Sequence, residues 1–273
     1  MHARRLPLAI LAIALLCAVP VSAHAAIVNG GFETGTFAGW TVIGDASVQT
    51  ASVGISPTNG CCMALLTTIN TDWGGVPFSL NFAAGSFAAP NVIGSFLGYS
   101  PSELSHIPGR FEPYPVGQSG IKQTVQGHAG EVLSFDSYWV TMDGIGTDGG
   151  VVSIVPSTSG PKVLLFLNPT NSSGATETGS PVPLCQHDGA FITALCPPVN
   201  SRTTGWQHFD VLLSSTDTFT IGFAVWNSID STLQSALFVD NVQLRVPQAS
   251  SAALLWVGLL GLLFSRRWIL RAK

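Results

Sequence analysis

Charge is scarce in this 273-residue sequence, where Asp, Glu, Lys and Arg together make up 10%. Between residues 26 and 248 the only basic side chains are Arg110, Lys122, Lys162, Arg202 and Arg245, set against all 15 Asp and Glu, a formal charge of −10. Neutralising phosphates needs a basic surface, so nucleic-acid binding is excluded as a function class. Catalytic signatures are missing too: no Gly-x-Ser-x-Gly elbow, His-Glu-x-x-His helix, Gly-Lys-Ser/Thr phosphate loop or dinucleotide fingerprint occurs. His106, His128, His187 and His208 are isolated along the chain and suggest no base or metal ligand. Internal repeats and amphipathic helical runs are also lacking. The 29 Gly and 17 Pro favour turns over helix interiors and so a β-rich protein, non-catalytic on this reading.

Both ends carry export features. Residues 1–25 have a basic start with Arg4 and Arg5, an apolar run from Leu6 to Val19, and small residues Ala23 and Ala25, the pattern of a cleaved signal peptide. Residues 249–264 are uncharged and mostly apolar, a helix of about 24 Å that predicts a short membrane insertion. Arg266 and Arg267 follow at once and set the C-terminus on the cytoplasmic side.

Val246-Pro247-Gln248, the Leu/Gly-rich helix and the Arg cluster, taken in that order, resemble the PEP-CTERM sorting signal of Gram-negative bacteria. That resemblance implies processing by an exosortase and delivery to the cell envelope or extracellular matrix. Gln248-Ala249 stands where that family usually has Glu-Pro.

Between the two ends, residues 26–245 predict one antiparallel jelly-roll β-sandwich. Alternating or β-branched runs bounded by turn residues recur at 40–43, 46–50, 63–67, 121–126, 132–141, 151–155, 163–167, 206–213, 219–226 and 236–244. Residues 72–120 and 168–204, rich in Pro, Gly, Ser and Thr, read as two long loops, the first also rich enough in Phe to form an apolar lid. The segment from Asp143 to Gly150 reads as a Gly-rich hairpin turn.

Ile27-Val28-Asn29-Gly30-Gly31-Phe32-Glu33 and Ala236-Leu237-Phe238-Val239-Asp240-Asn241-Val242 resemble the first and last strands of galactose-binding-like jelly rolls, which include many carbohydrate-binding modules. The resemblance implies a structural Ca²⁺ held by Glu33 and Asp240 with the Gly31 carbonyl, a set of hard oxygen donors suited to that ion.

Four cysteines remain after the signal: Cys61, Cys62, Cys185 and Cys196. Three pairings are open, and the local Cys185–Cys196 bridge is preferred because it closes a short loop. Sugar recognition uses aromatic faces flanked by amides and carboxylates. Trp40, Trp139 and Trp206 fall within strand patterns and are expected in the core, so Trp73, Tyr99 and Tyr114 are the candidate ligand-binding residues. The expected function is binding of polysaccharide or a surface glycan, or a structural role in the matrix. A secreted polysaccharide hydrolase and a protein-binding surface module are the alternatives.

Overall fold

The computed structural model of the chain describes residues 26–68, 92–100, 103, 115–141, 149–158, 160–167, 202–228 and 235–246. Ten strands occupy them: β1 Thr41–Ile43, β2 Asp45–Gln49, β3 Met63–Thr67, β4 Pro115–Gly127, β5 Val132–Thr141, β6 Gly149–Pro156, β7 Val163–Phe166, β8 Arg202–Leu212, β9 Asp217–Ser228 and β10 Ser235–Arg245. All ten predicted strands are present, and β3 and β5 have the predicted bounds.

The strands form two five-stranded sheets, the first in the order β1-β4-β9-β6-β7 and the second in the order β2-β3-β10-β5-β8. Every pairing is antiparallel. From β3 to β10 the pairing is nested: β6 with β7, β5 with β8, β4 with β9, and β3 with β10. That is the winding of a jelly roll, one long antiparallel ribbon folded over into two layers.

Period-2 alternation builds the core between the sheets. Leu133, Phe135 and Trp139 of β5, Val152 and Ile154 of β6, Ile221, Phe223 and Val225 of β9, and Leu237 and Val239 of β10 all point inward and are buried. The first turn caps this core. Phe32, held at φ +57°, is fully buried and packs edge-on against Phe37 at 5.9 Å. Burial of its ring offsets the cost of a left-handed backbone.

Three expectations are corrected. β4 begins at Pro115, six residues before the predicted strand, because a bulge between Val116 and Gln118, with Gly117 at φ +72°, lets the pairing to β9 continue past the glycine. The presumed loop of residues 72–120 also contains a short helix, Val92–Phe96, whose Ile93 and the following Leu97 and Tyr99 cover Val151, Ala224 and Trp226 on the outer side of the first sheet. Of the expected hairpin turn at 143–150, residues 143–148 lie outside the described residues and Gly149 and Gly150 open β6; β5 and β6 belong to different sheets, so the two strands do not pair as a hairpin.

Candidate functional site

Two short sequences with the same alternation lie side by side on the second sheet. Ser134-Phe135-Asp136 on β5 pairs with His208-Phe209-Asp210 on β8, with Phe135 opposite Phe209, Asp136 opposite His208 and Ser134 opposite Asp210. The two Phe rings stack at 5.1 Å and 11° on the core side. Alternation then sends the four polar side chains to the outer face. Arg245 at the end of β10 reaches the same patch.

The polar groups form one network. His208 Nδ1 lies 2.5 Å from Asp136 Oδ1, and His208 Nε2 lies 3.2 Å from the Ser134 hydroxyl. Arg245 Nη2 donates to Asp210 Oδ1 at 2.8 Å and also to the Ser134 hydroxyl. Asp136 Oδ2 accepts the Thr58 hydroxyl at 2.6 Å and Asn241 Nδ2 at 3.2 Å. The Ser134 hydroxyl, aided by the Arg245 charge, holds the Asp210 carboxyl below its usual range. His208, Asp210 and Arg245 have side-chain exposures of 50%, 55% and 48%, so the network faces solvent.

Serine, histidine and aspartate thus follow the hydrogen-bond order of a hydrolytic triad. Ser134, however, is only 2% exposed and its hydroxyl already accepts from Arg245. A nucleophile needs an open approach to its oxygen, and here the serine instead ties β5 to β8 and β10.

Beside this network stands Trp206, two residues before His208 and thus on the same face of β8. It is only partly buried, contrary to the expected core position, and packs edge-on against Tyr138 at 5.7 Å. Its indole N–H donates to the Ser56 carbonyl at 2.9 Å.

The second group of interest lies where the first turn meets β10. Val242 N–H donates to the Gly30 carbonyl at 2.9 Å. Glu33 Oε1 and Asp240 Oδ1 each lie 3.9 Å from the position a Cβ on Gly31 would take. Both carboxylates also serve the segment between β2 and β3. Glu33 accepts the Cys61 amide at 3.0 and 3.1 Å and the Cys62 amide at 3.2 Å. Asp240 Oδ2 accepts Thr58 N–H at 2.8 Å, the Thr58 hydroxyl at 3.0 Å and Asn59 N–H at 3.0 Å. Burial pushes the Asp240 carboxyl up from its ordinary range, against the pull of these hydrogen bonds. The oxygens nearest Gly31 each accept backbone amides, Glu33 Oε1 from Cys61 and Cys62 and Asp240 Oδ1 from Asn241 at 2.6 Å.

No known sequence family matches the chain, and no curated protein does. Similar solved structures include carbohydrate-binding modules. TmCBM61, solved in complex with β-1,4-galactotriose, is 13% identical with a TM-score of 0.36, over 80% of this chain and 95% of that one. A family 16 carbohydrate-binding module is 15% identical with a TM-score of 0.35, over 80% and 98%. The enzymatically active domain of tailspike protein 4 from bacteriophage CBA120 is 9% identical with a TM-score of 0.37, over 80% and 21%. At this level of likeness, what the chain binds has to be read from its own residues.

Those residues revise the sequence-based site. Tyr99 is not a surface ligand. It is buried in the lid of the first sheet, its hydroxyl donates to the Val163 carbonyl at 2.8 Å, and burial raises its phenol to about 12. Trp73 and Tyr114 lie outside the described residues, as do Cys185 and Cys196 and the sorting residues Pro247, Gln248, Arg266 and Arg267. Val246 is described and exposed. Cys61 and Cys62 are bonded to each other, which excludes the two crossed pairings. His208, read as isolated, is the centre of the outer network. The signal for it is the repeated polar-Phe-Asp alternation at 134–136 and 208–210, which becomes a site only once the two strands are known to pair.

Proposed function

We propose that the chain is an exported, non-catalytic surface or extracellular-matrix protein that binds polysaccharide on the outer face of the second sheet. The observation that carries this reading is the partly exposed Trp206 beside the solvent-facing His208, Asp210 and Arg245, with buried Asp136 holding the His208 ring from behind. An apolar ring flanked by planar donors and acceptors matches the two sides of a pyranose, a C–H face and a rim of hydroxyls. The formal charge of −10 between residues 26 and 248 favours a neutral glycan over an anionic one.

Export rests on the signal at residues 1–25, and envelope or matrix delivery on the resemblance of residues 246–273 to an exosortase-processed sorting signal. Membrane contact is through residues 249–264 before processing. A Ca²⁺ held by Glu33 and Asp240 supplies charge where Asp240 lacks water and joins the first turn to the last strand. Its role is structural.

The test is titration of the exported protein against a glycan panel and the producing organism's own exopolysaccharide. Saturable binding that Trp206→Ala and Asp210→Ala each weaken at least tenfold supports the reading. No binding to any glycan, or binding untouched by both substitutions, sinks it. The second reading, a polysaccharide hydrolase acting through Ser134, is favoured only by the hydrogen-bond order of Ser134, His208 and Asp136. Turnover lost in Ser134→Ala would establish it.

A further inference from the structure

The segment between β2 and β3 holds the outer face in place yet has few apolar contacts of its own. Val53 and Ile55 are buried against Met63, Leu65, Tyr138, Val140 and Phe238. From Ser56 to Cys61 the chain runs largely exposed. Hydrogen bonds to three carboxylates fix this stretch: Asp136 and Asp240 hold Thr58 and Asn59, and Glu33 holds Cys61 and Cys62. The same stretch supplies two contacts to the outer face, the Ser56 carbonyl that accepts the Trp206 indole N–H and the Thr58 hydroxyl that donates to Asp136.

We propose that Glu33 is a positioning residue for that face: through residues 56–62 it sets the orientation of Trp206 and Asp136 without touching the ligand. The proposal rests on the binding role assigned to the face above. Its physical basis is that residues 56–61, between buried Ile55 and buried Cys62, carry no buried apolar side chain of their own, so hydrogen bonds fix their course. Losing the carboxylate strands the Cys61 and Cys62 amides and removes the hydrogen bonds on the β3 side of Thr58. Thr58, three and four residues back from those amides, is then held only by the two aspartates it also helps to orient.

The experiment compares wild type, Glu33→Ala and Glu33→Gln as exported protein, all in EGTA so that calcium has no part in the comparison. Glutamine keeps an acceptor oxygen for the Cys61 and Cys62 amides, and alanine keeps none. Glu33→Ala is expected to weaken glycan binding about tenfold, the size expected for leaving backbone amides unserved. It should also shift the Trp206 indole N–H resonance, identified by its loss in Trp206→Phe, and speed amide exchange at Thr58 and Asn59. Glu33→Gln should stay within about threefold of wild type with a near-native indole resonance. Asp217→Asn, which weakens a turn remote from the site, should leave affinity unchanged.

If Glu33→Gln proves as damaging as Glu33→Ala, or if Glu33→Ala leaves resonance and exchange unmoved, the proposal is overturned. Should the wild type bind no glycan, the carbohydrate reading fails by itself. The resonance and exchange measurements, which need no ligand, still decide whether Glu33 governs the face.

Discussion

Gly60 stands over the Glu33 carboxylate so closely that a Cβ at residue 60 would fall within it, and Gly60 has φ +64°. Both conditions demand glycine. Gly60→Ala should therefore destabilise the protein by about 2 kcal/mol through backbone strain and displacement of Glu33. Calorimetry should show the melting temperature falling by roughly 4–8 °C. A native melting temperature would mean that the carboxylate does not occupy that position.

Phe135 joins the core to the site, since its ring stacks on Phe209 and meets Phe223 edge-on at 5.1 Å while its neighbours Ser134 and Asp136 face outward. Phe135→Ala should cost about 3–5 kcal/mol. Denaturant unfolding measures it. A loss below about 1 kcal/mol would contradict the close packing of the two sheets there.

Asp217 gives a stability change in acid. Its carboxyl accepts from the Ser157 hydroxyl, from Thr158 and from the Thr218 amide, and these hydrogen bonds lower it from the ordinary 3.8 to about 2. The folded state therefore favours the anion. Its contribution is present above about pH 4 and disappears as pH falls to about 2. Melting temperatures of wild type and Asp217→Asn should differ at pH 6 and converge near pH 2. A gap that persists at pH 2 would assign the difference to something other than this ionisation.

Calcium should raise the melting temperature of the wild type and leave Asp240→Asn unmoved. At a hundredfold excess over the dissociation constant the linkage is worth about 2.7 kcal/mol. Equal responses to calcium and EGTA in the wild type would remove the cation from the proposed structure.

The ten strands were legible because their apolar residues alternate, so that Leu133, Phe135 and Trp139 mark one face of β5 in the bare sequence. Partnership between strands was not. Nothing local shows that Asp136 and His208, separated by 72 residues, lie opposite each other, so the histidine read as isolated. Tyr99 misled for a related reason: a Pro- and Gly-rich neighbourhood signals a loop but not whether the loop is pressed onto a sheet. Trp206 sits in a strand pattern yet belongs to an edge strand whose outer face is only half covered. The carboxylate pair Glu33 and Asp240 was found through the resemblance of the terminal motifs. Their bonds to residues 58–62 have little sequence signature, because apart from the Thr58 hydroxyl they use backbone amides that every residue but proline carries.

The bond from Val242 to Gly30 has a consequence for how this domain is mounted. The first turn and the last strand leave from the same pole, beside Arg245, whereas Ser235, Thr141 and Thr67 lie at the far pole of the second sheet. A support attached after residue 246 therefore holds the sandwich by the pole that carries Arg245, with the first turn and the end of β10 beside the support and the opposite pole raised above it. Joining residues near 27 and 245 by a short linker, and opening new ends between β9 and β10 at the far pole, beside Ser235, would turn the domain upside down on its mount while keeping every layer in place.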